Sequence, residues 1–216
     1  MNRLNRLTVS IVETLGKVGV FHYNKLAYLF EYIYIKNFGV RYTNERFIKL
    51  PNGPVINNYK KQIELLFEEN LLKVDVTQLN QKRSVDDNSL KPIWIEPTSD
   101  SKNFLVEDED AVKLLSQMLN RYAKLSASQL ENVVYQTEPM LRITQNEGTK
   151  EKKSIGVEVL DTTTVKNALK NDRIQGKKLA LEHLKKYPFP NNELQDFYAQ
   201  ELAPLALLRP KYESES

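Results

Sequence analysis

The segment of residues 26–35 restricts the possible folds of this chain more than any other feature. Apolar side chains recur in it at the three- and four-residue spacing of one helix face, and tyrosines widen that face. A helix that is apolar over most of its circumference has to be surrounded by other elements. We therefore expect a central helix that is capped by Asn24, continues through these residues and stops near Gly39.

Two other segments of the first half predict helices beside this centre. Residues 4–15 keep the apolar spacing of a helix up to Gly16, which should end it. Residues 51–54, with the sequence Pro-Asn-Gly-Pro, carry the strongest turn signal of the chain. A third helix is expected over residues 55–70, with Pro54 suited to its first turn.

Two more helices are predicted in the second half. Residues 107–110 are four consecutive acids, which complement the dipole at the start of a helix that continues to Lys124. Ser126 and Gln129 have the spacing of a capping box. The short helix that they open should end before Pro139.

The hydrophobic period changes to that of a strand at residues 72–76, where apolar and polar side chains alternate. Residues 93–95 are β-prone, and the two runs are predicted to pair as a hairpin across the polar loop of residues 78–91. Residues 41–50 fit either an irregular helix or an extended segment. The predicted fold class is mainly α, a compact helical domain with a small β-hairpin and a C-terminal helical extension.

A polar and charged stretch at residues 144–154 predicts an exposed loop or a domain boundary. We accordingly divide the chain into a domain of residues 1–142 and an extension of residues 143–216. Amphipathic patterns predict helices over residues 165–184 and 191–202 of this extension. Such helices could add a layer to the domain's own core or lie in a partner's groove, so the extension is a candidate for partner binding.

Composition removes several kinds of chemistry. The chain has no cysteine, which excludes disulfides, thiolate nucleophiles, iron–sulfur clusters and thiolate zinc sites. It has no glycine-rich phosphate loop and no recognisable catalytic motif, and the positions of His22 and His183 favour surface or packing roles. The four acids of residues 107–110 would point in different directions around a helix start, which disfavours a metal site. We predict a protein that is not an enzyme and has no cofactor or metal; an enzyme acting through carboxylates is the alternative.

Charge and aromatic content leave a nucleic-acid role open without favouring it. The net charge is +3, from 31 basic and 28 acidic residues, and no strong basic stripe stands out. Six aromatic residues between positions 21 and 34 could stack on bases, but core packing or a protein contact explains them as well. The first two predicted helices, followed by strands, are superficially like a winged helix-turn-helix, although the second helix is too apolar to lie in a DNA groove.

The sequence has no apolar run that approaches the ~18 to 20 residues needed to cross a bilayer. Its first seven residues are partly basic but lack the continuous apolar stretch of a secretory signal. We therefore expect no membrane segment and a cytoplasmic location.

Several short motifs follow one another in a fixed order. A helical motif at residues 25–32 and a glycine are followed by a Tyr-Thr pair and by a Gly-Pro-Val turn at residues 53–55. Residues 120–140 then carry a helix end at Tyr-Ala, a helix that opens with serine, and a Pro-Met pair. In order and spacing, this succession resembles the Panacea domain, the SocA-like antitoxin family, over about residues 8–142.

The resemblance implies an antitoxin, a non-enzymatic protein that neutralises a toxin, usually encoded next to it, by direct binding. A variant within the family acts as a proteolytic adaptor that delivers its toxin to a bacterial ATP-dependent protease. The implied partners are therefore a cognate protein toxin and, in this alternative, such a protease. A DNA-binding regulator of winged-helix type is the second alternative, and nucleic acid is not an expected partner.

Eight residues of the matching segments are predicted to have roles. The candidate partner-binding residues are Lys25, Tyr28, Glu31 and Tyr32. The candidate structural residues are Leu26, Gly53, Pro54 and Val55. The first three of the binding set are spaced by three residues, so they can share one helix face, either as a patch for partner contact or as a local network that supports the fold. In the structural set, the leucine belongs to the core and the Gly-Pro-Val series fixes a turn and the start of the third helix.

Overall fold

The computed structural model describes residues 1–80, 92–147 and 156–161, and this part of the chain is mainly helical. The α-helices in these ranges are α1 (Arg3–Leu15), α2 (Val20–Phe38), α3 (Tyr59–Glu68), α4 (Val76–Asn80), α5 (Glu109–Tyr122), α6 (Ala127–Tyr135) and α7 (Glu138–Glu147). The strands are β1 (Val18–Gly19), β2 (Phe47–Leu50), β3 (Gly53–Ile56), β4 (Leu72–Val74) and β5 (Trp94–Pro97). A short 3-10 helix, Ser101–Phe104, precedes α5. The predicted mainly helical class with a small β element is confirmed, while the helices expected over residues 165–184 and 191–202 lie outside the described residues.

Helix α2 lies at the centre of the fold, as its apolar circumference predicts. Residues 23–31 of this helix are all buried, and α1, α5, α6 and β3 pack around it. Leu26 has no exposed surface and belongs to the core. The helix ends as expected at Gly39, which has a φ of 70° and donates its N–H to the carbonyl of Ile35.

The prediction that Asn24 caps α2 is wrong. The helix begins one turn earlier, at Val20, and Gly19 is its N-cap. Asn24 therefore lies inside the helix, where its side-chain amide donates to the carbonyl of Val20 at 2.9 Å. The early start depends on strand β1, because the Val20 N–H continues the pairing of that strand by donating to the carbonyl of Ile93 at 2.9 Å.

A three-stranded antiparallel sheet has the strand order β1-β5-β4. The predicted hairpin is confirmed as the β4–β5 pair, and β1 is an addition too short to be found from periodicity. Val74 of β4 and Val18 of β1 both lie opposite Ile95, on its two sides. The strand ends at Val74, earlier than predicted, and the first residues of the predicted connecting loop belong to the unpredicted helix α4. The rest of that loop, residues 81–91, lies outside the described residues.

The turn signal at residues 51–54 joins two strands rather than a strand and a helix. Strand β2, in the segment that fitted either helix or extended chain, pairs with β3 so that Lys49 lies opposite Pro54. Helix α3 begins only at Tyr59, so the placement of Pro54 and Val55 at a helix start is wrong. Proline is tolerated here because the N–H that it lacks would point away from β2 at this register.

The remaining predicted helix ends agree with the structure. Helix α1 stops at Gly16, and Asp108, within the acidic run, is the N-cap of α5. Ser126 and Gln129 form both bonds of a capping box at the start of α6. Helix α7 was not predicted, and Pro139 lies in its first turn, where the missing N–H costs no helical bond. Among the described helices, none is long and apolar enough to span a lipid bilayer.

Residues 156–160 form a short, mostly irregular segment along the outer edge of β2, which we call the strap. Glu158 of the strap forms an antiparallel bridge with Ile48. Val159 and Leu160 are buried. Part of the predicted extension thus adds backbone pairing to the β2–β3 hairpin. The division of the chain at residues 142–143 stays a prediction.

Candidate functional site

Two polar side chains of α2 bind the edge of β3 that faces away from β2. Lys25 donates from Nζ to the carbonyl oxygen of Pro54 at 3.0 Å. The N–H of Ile56 donates to Oδ1 of Asn24, also at 3.0 Å. All four residues are buried. Because unpaired backbone groups are costly when buried, these side chains supply the bonds that a neighbouring strand would otherwise give.

Lys25 is a cation without exposed surface. Its Nζ lies 4.6 Å from the centre of the Phe21 ring, a cation–π distance. Burial lowers the pKa of this amine to about 7, and the negative charge of Glu131 offsets part of this effect. The amine therefore changes between its charged and neutral forms near neutral pH instead of above pH ~10.

Gly53 lies directly against the same lysine. Its φ is +94°, and a Cβ built on it would lie 3.1 Å from Nζ of Lys25 and 3.3 Å from Cε2 of Tyr135. Residues other than glycine rarely adopt this backbone conformation. Glycine thus allows the hairpin to turn and leaves room for the buried ammonium group.

Tyr28 connects α2 to the junction between α6 and α7. Its hydroxyl lies 2.7 Å from Oγ1 of Thr137. Since Thr137 donates its own hydrogen to the carbonyl of Val134 at 2.6 Å, the tyrosine is the donor to the threonine. Burial raises the pKa of Tyr28. The ring of Tyr32 lies parallel to that of Tyr28, with centroids 6.3 Å apart and an interplanar angle of 6°.

Glu31 binds the loop between α2 and β2. The backbone N–H of Thr43 donates to both carboxylate oxygens, at 3.1 and 3.2 Å, and its hydroxyl donates to Oε2 at 3.0 Å. Burial raises the pKa of Glu31 to about 7, although the Thr43 hydrogen bonds and the charge of Arg41 act in the opposite direction. The carboxyl group thus binds a loop that carries no regular secondary structure.

Asn24, Lys25, Tyr28 and Glu31 form a line of buried polar side chains along α2, which we call the polar row. Its partners lie in three separate segments: β3, the α6–α7 junction and the α2–β2 loop. These bonds are those of a network that supports the fold. Among the four candidate partner-binding residues only Tyr32, which is half-buried, offers surface to a partner, and partner contact stays a prediction.

The polar row lies within a segment that matches a known protein family. A family model described as "Antitoxin SocA-like, Panacea domain" matches residues 24–139, more than half of the chain. The chain belongs to this family. Membership supports an antitoxin role, implies a toxin as partner in general terms and suggests a non-enzymatic function. No curated protein and no solved structure matches the chain.

The matched segment contains the polar row and the partners of its side chains in β3, the α6–α7 junction and the α2–β2 loop. The match begins at Asn24, the first residue of the row, and ends two residues after Thr137, the last of its partners. Helix α1 and the strap lie outside it. The polar row and its bonds therefore lie within the part of the chain that matches the family.

The other titratable residues considered from the sequence have local partners. His22 is half-buried with Nε2 3.0 Å from the carbonyl oxygen of Leu125, and His183 lies outside the described residues. The carboxylate of Asp108 accepts from the N–H of Ala111 at 2.9 Å, as expected of a helix cap. Within residues 1–80, 92–147 and 156–161, no three His, Asp or Glu side chains gather into a site for a metal ion.

The burial of α2 bears on the DNA-binding alternative. The winged-helix alternative needs α2 in a DNA groove, but this helix is buried along residues 23–31. The sequence also did not reveal Thr43 and Thr137 as partners of the row. The Tyr-Thr pair at residues 42 and 43 was a signal for the first of these, and no local pattern marked the second.

Removing either end of the Tyr28–Thr137 bond should have unequal effects. Tyr28→Phe leaves Thr137 bonded to Val134, so we expect a loss of about 1 kcal/mol in the free energy of unfolding. Thr137→Val leaves the tyrosine hydroxyl buried without its acceptor and removes the Val134 bond, so a loss of about 2 to 3 kcal/mol is expected. Urea unfolding of both variants measures the difference; equal losses would contradict the assigned donor direction.

Proposed function

We propose that this chain neutralises a cognate protein toxin by binding it directly. The observation that carries the proposal is the match to the SocA-like antitoxin family over residues 24–139. Binding requires a surface and no catalytic group. The side chains of the polar row are engaged in hydrogen bonds that hold the domain together, which agrees with a scaffold that presents a surface.

Tyr32 is the residue for which we propose direct contact with the toxin. It is half-buried, and its ring is held parallel to that of Tyr28. The ammonium group of Lys36, an exposed residue one turn along the helix, lies 5.7 Å from its centre. An aromatic ring that is already fixed loses little freedom on binding, and tyrosine is enriched among the residues that dominate interface energy. Lys25, Tyr28 and Glu31 would act by holding this helix in place.

Co-expression in bacteria with the product of the neighbouring gene tests the proposed function. The expected result is that growth is restored and that the two proteins purify together at a fixed ratio. Restored growth with a falling level of toxin and no stable complex would instead indicate delivery to an ATP-dependent protease. Failure of the intact chain to restore growth against a toxic neighbour would refute the antitoxin function for that pair.

Tyr32→Ala should weaken toxin binding without unfolding the domain. We expect the dissociation constant to rise by about tenfold or more, as for a typical interface aromatic residue. Phe38→Ala is the matched control, because Phe38 is an exposed aromatic residue of the same helix, at 40% exposure, that lies outside the candidate set. Titration calorimetry on the purified pair gives both constants. An equal effect of the two substitutions would remove Tyr32 from the proposed contact surface while leaving the antitoxin function in place.

A further inference from the structure

The outer edge of β2 is bonded to the strap through its backbone. The N–H of Lys49 donates to the carbonyl of Val157 at 2.9 Å, and the N–H of Gly156 donates to the carbonyl of Lys49 at 2.7 Å. Further along, the N–H of Val159 donates to the carbonyl of Phe47, also at 2.7 Å. This is the pattern by which an extended peptide adds a strand to an open sheet edge.

Two arginines give this edge a preference for a carboxylate. Nη2 of Arg41 lies 2.8 Å from Oε1 of Glu158, and Nε of Arg46 lies 3.0 Å from its Oε2. The single carboxylate thus bridges two guanidinium groups, and the Arg41 and Glu158 side chains are only 20% and 25% exposed. The Arg46 side chain is 60% exposed, so the partly buried Arg41–Glu158 pair is the one that favours a carboxylate at this position.

The residues on either side of the carboxylate add a second requirement. Val159 and Leu160 are exposed by 2% and 0%, whereas Val157 is exposed by 45%. The edge therefore holds a carboxylate followed by two buried aliphatic side chains, and it leaves the preceding residue in solvent. The arginines belong to the matched Panacea segment of residues 24–139, while the strap lies beyond its end.

We propose that the β2 edge, with Arg41 and Arg46, is a strand-docking groove whose occupant is residues 156–160 of this chain, and that this docking is required for full toxin neutralisation. The second half rests on the proposed function. A docked strap fixes the point on the domain from which the chain continues beyond Asp161, and tethering raises the effective concentration of whatever toxin-binding residues follow.

Glu158→Arg in the full-length chain tests the groove, because it sets a third cation against the two arginines. Val157→Arg is the matched control, since it places the same side chain one residue earlier at the exposed position. Hydrogen exchange at the amides of Lys49 and Val159 is expected to accelerate by about tenfold or more in the first variant and to change little in the control. A thermal melt of each variant checks that the rest of the domain is folded.

A peptide supplied in trans provides a second measurement. The labelled hexapeptide Gly-Val-Glu-Val-Leu-Asp should bind the Glu158→Arg chain more tightly than the wild-type chain, whose groove is already occupied. A peptide with arginine in place of glutamate should bind neither. Unchanged exchange in the Glu158→Arg chain, or equal binding of the two peptides, would overturn the groove.

Toxin neutralisation tests whether docking of the strap is required for function. With the groove established, Glu158→Arg should lower neutralisation in the co-expression assay by about tenfold relative to Val157→Arg. Full neutralisation by both variants would overturn the required role of docking, even if the exchange data support the groove. If the wild-type chain itself fails to neutralise, the proposed function fails, and so does the proposed role of docking in neutralisation. Hydrogen exchange and peptide binding still test whether the strap occupies the groove.

Discussion

Gly53→Ala is expected to reduce the free energy of unfolding by about 3 kcal/mol. The φ of +94° imposes conformational strain on any residue with a Cβ. The added methyl group would also lie 3.1 Å from Nζ and 3.3 Å from Cε of Lys25, and the lysine has little room to move because it is buried and bonded to Pro54. Urea unfolding followed by the fluorescence of the single tryptophan, Trp94, measures the loss.

Gly16→Ala separates strain from crowding. Gly16 also has a positive φ, of +70°, but a Cβ there would meet no atom within 4 Å. Its substitution should therefore cost only about 1 kcal/mol, the conformational share. Combining Gly53→Ala with Lys25→Ala removes the crowding partner. The double variant should therefore lose less free energy of unfolding than the sum of the two single losses. Equal losses at the two glycines, or strict additivity, would show that the contact with Lys25 is unimportant.

The free energy of unfolding should pass through a minimum near pH 7. Glu31 has a folded pKa of about 7, raised by burial from 4.5, so the folded state binds the proton more tightly and stability falls as pH rises from about 4.5 to about 7. Lys25 has a folded pKa of about 7, lowered by burial from 10.5, so the unfolded state binds the proton more tightly and stability rises again from about 7 to about 10.5. At about 1.4 kcal/mol for each unit of pKa, each limb amounts to roughly 3 to 5 kcal/mol.

Single substitutions assign the two limbs of this profile. Glu31→Gln should flatten the acid limb and leave the alkaline limb intact, because it removes the carboxyl group while retaining an acceptor for Thr43. Lys25→Met should do the reverse, since methionine fills the same space without a titrating group. Denaturant unfolding at a series of pH values provides both curves. A profile that neither substitution alters would mean that other groups control the pH dependence.

The sequence predicted the centre of the fold well and its interior polar bonds poorly. The apolar circumference around Leu26 was enough to place α2 inside, because burial of that area is independent of detail. The three-residue spacing of Lys25, Tyr28 and Glu31 likewise predicted a shared face. It did not show whether that face points to solvent or to the interior, since the answer depends on acceptors and donors far away in the chain.

Local ambiguity explains why the predicted starts of α2 and α3 were wrong. Asparagine can cap a helix or bond from inside one, and the choice at Asn24 was made by strand β1, a two-residue element without a periodic signal. Pro54 suits a helix start and an edge strand equally well, and the pairing with Lys49 decided for the strand. The ion pair between Arg41 and Glu158 could not be predicted from the sequence, because the two residues lie 117 positions apart.

The Tyr28–Thr137 bond has a consequence for how the protein is made. It joins residues 109 positions apart, so a ribosome must translate almost the whole Panacea domain before α2 can acquire its last buried partner. Until Thr137 has been synthesised, the hydroxyl of Tyr28 lacks its partner, whereas Lys25 and Glu31 bond to earlier residues, Pro54 and Thr43. The buried bonds of α2 are consequently completed only when nearly the whole of the Panacea domain has been synthesised.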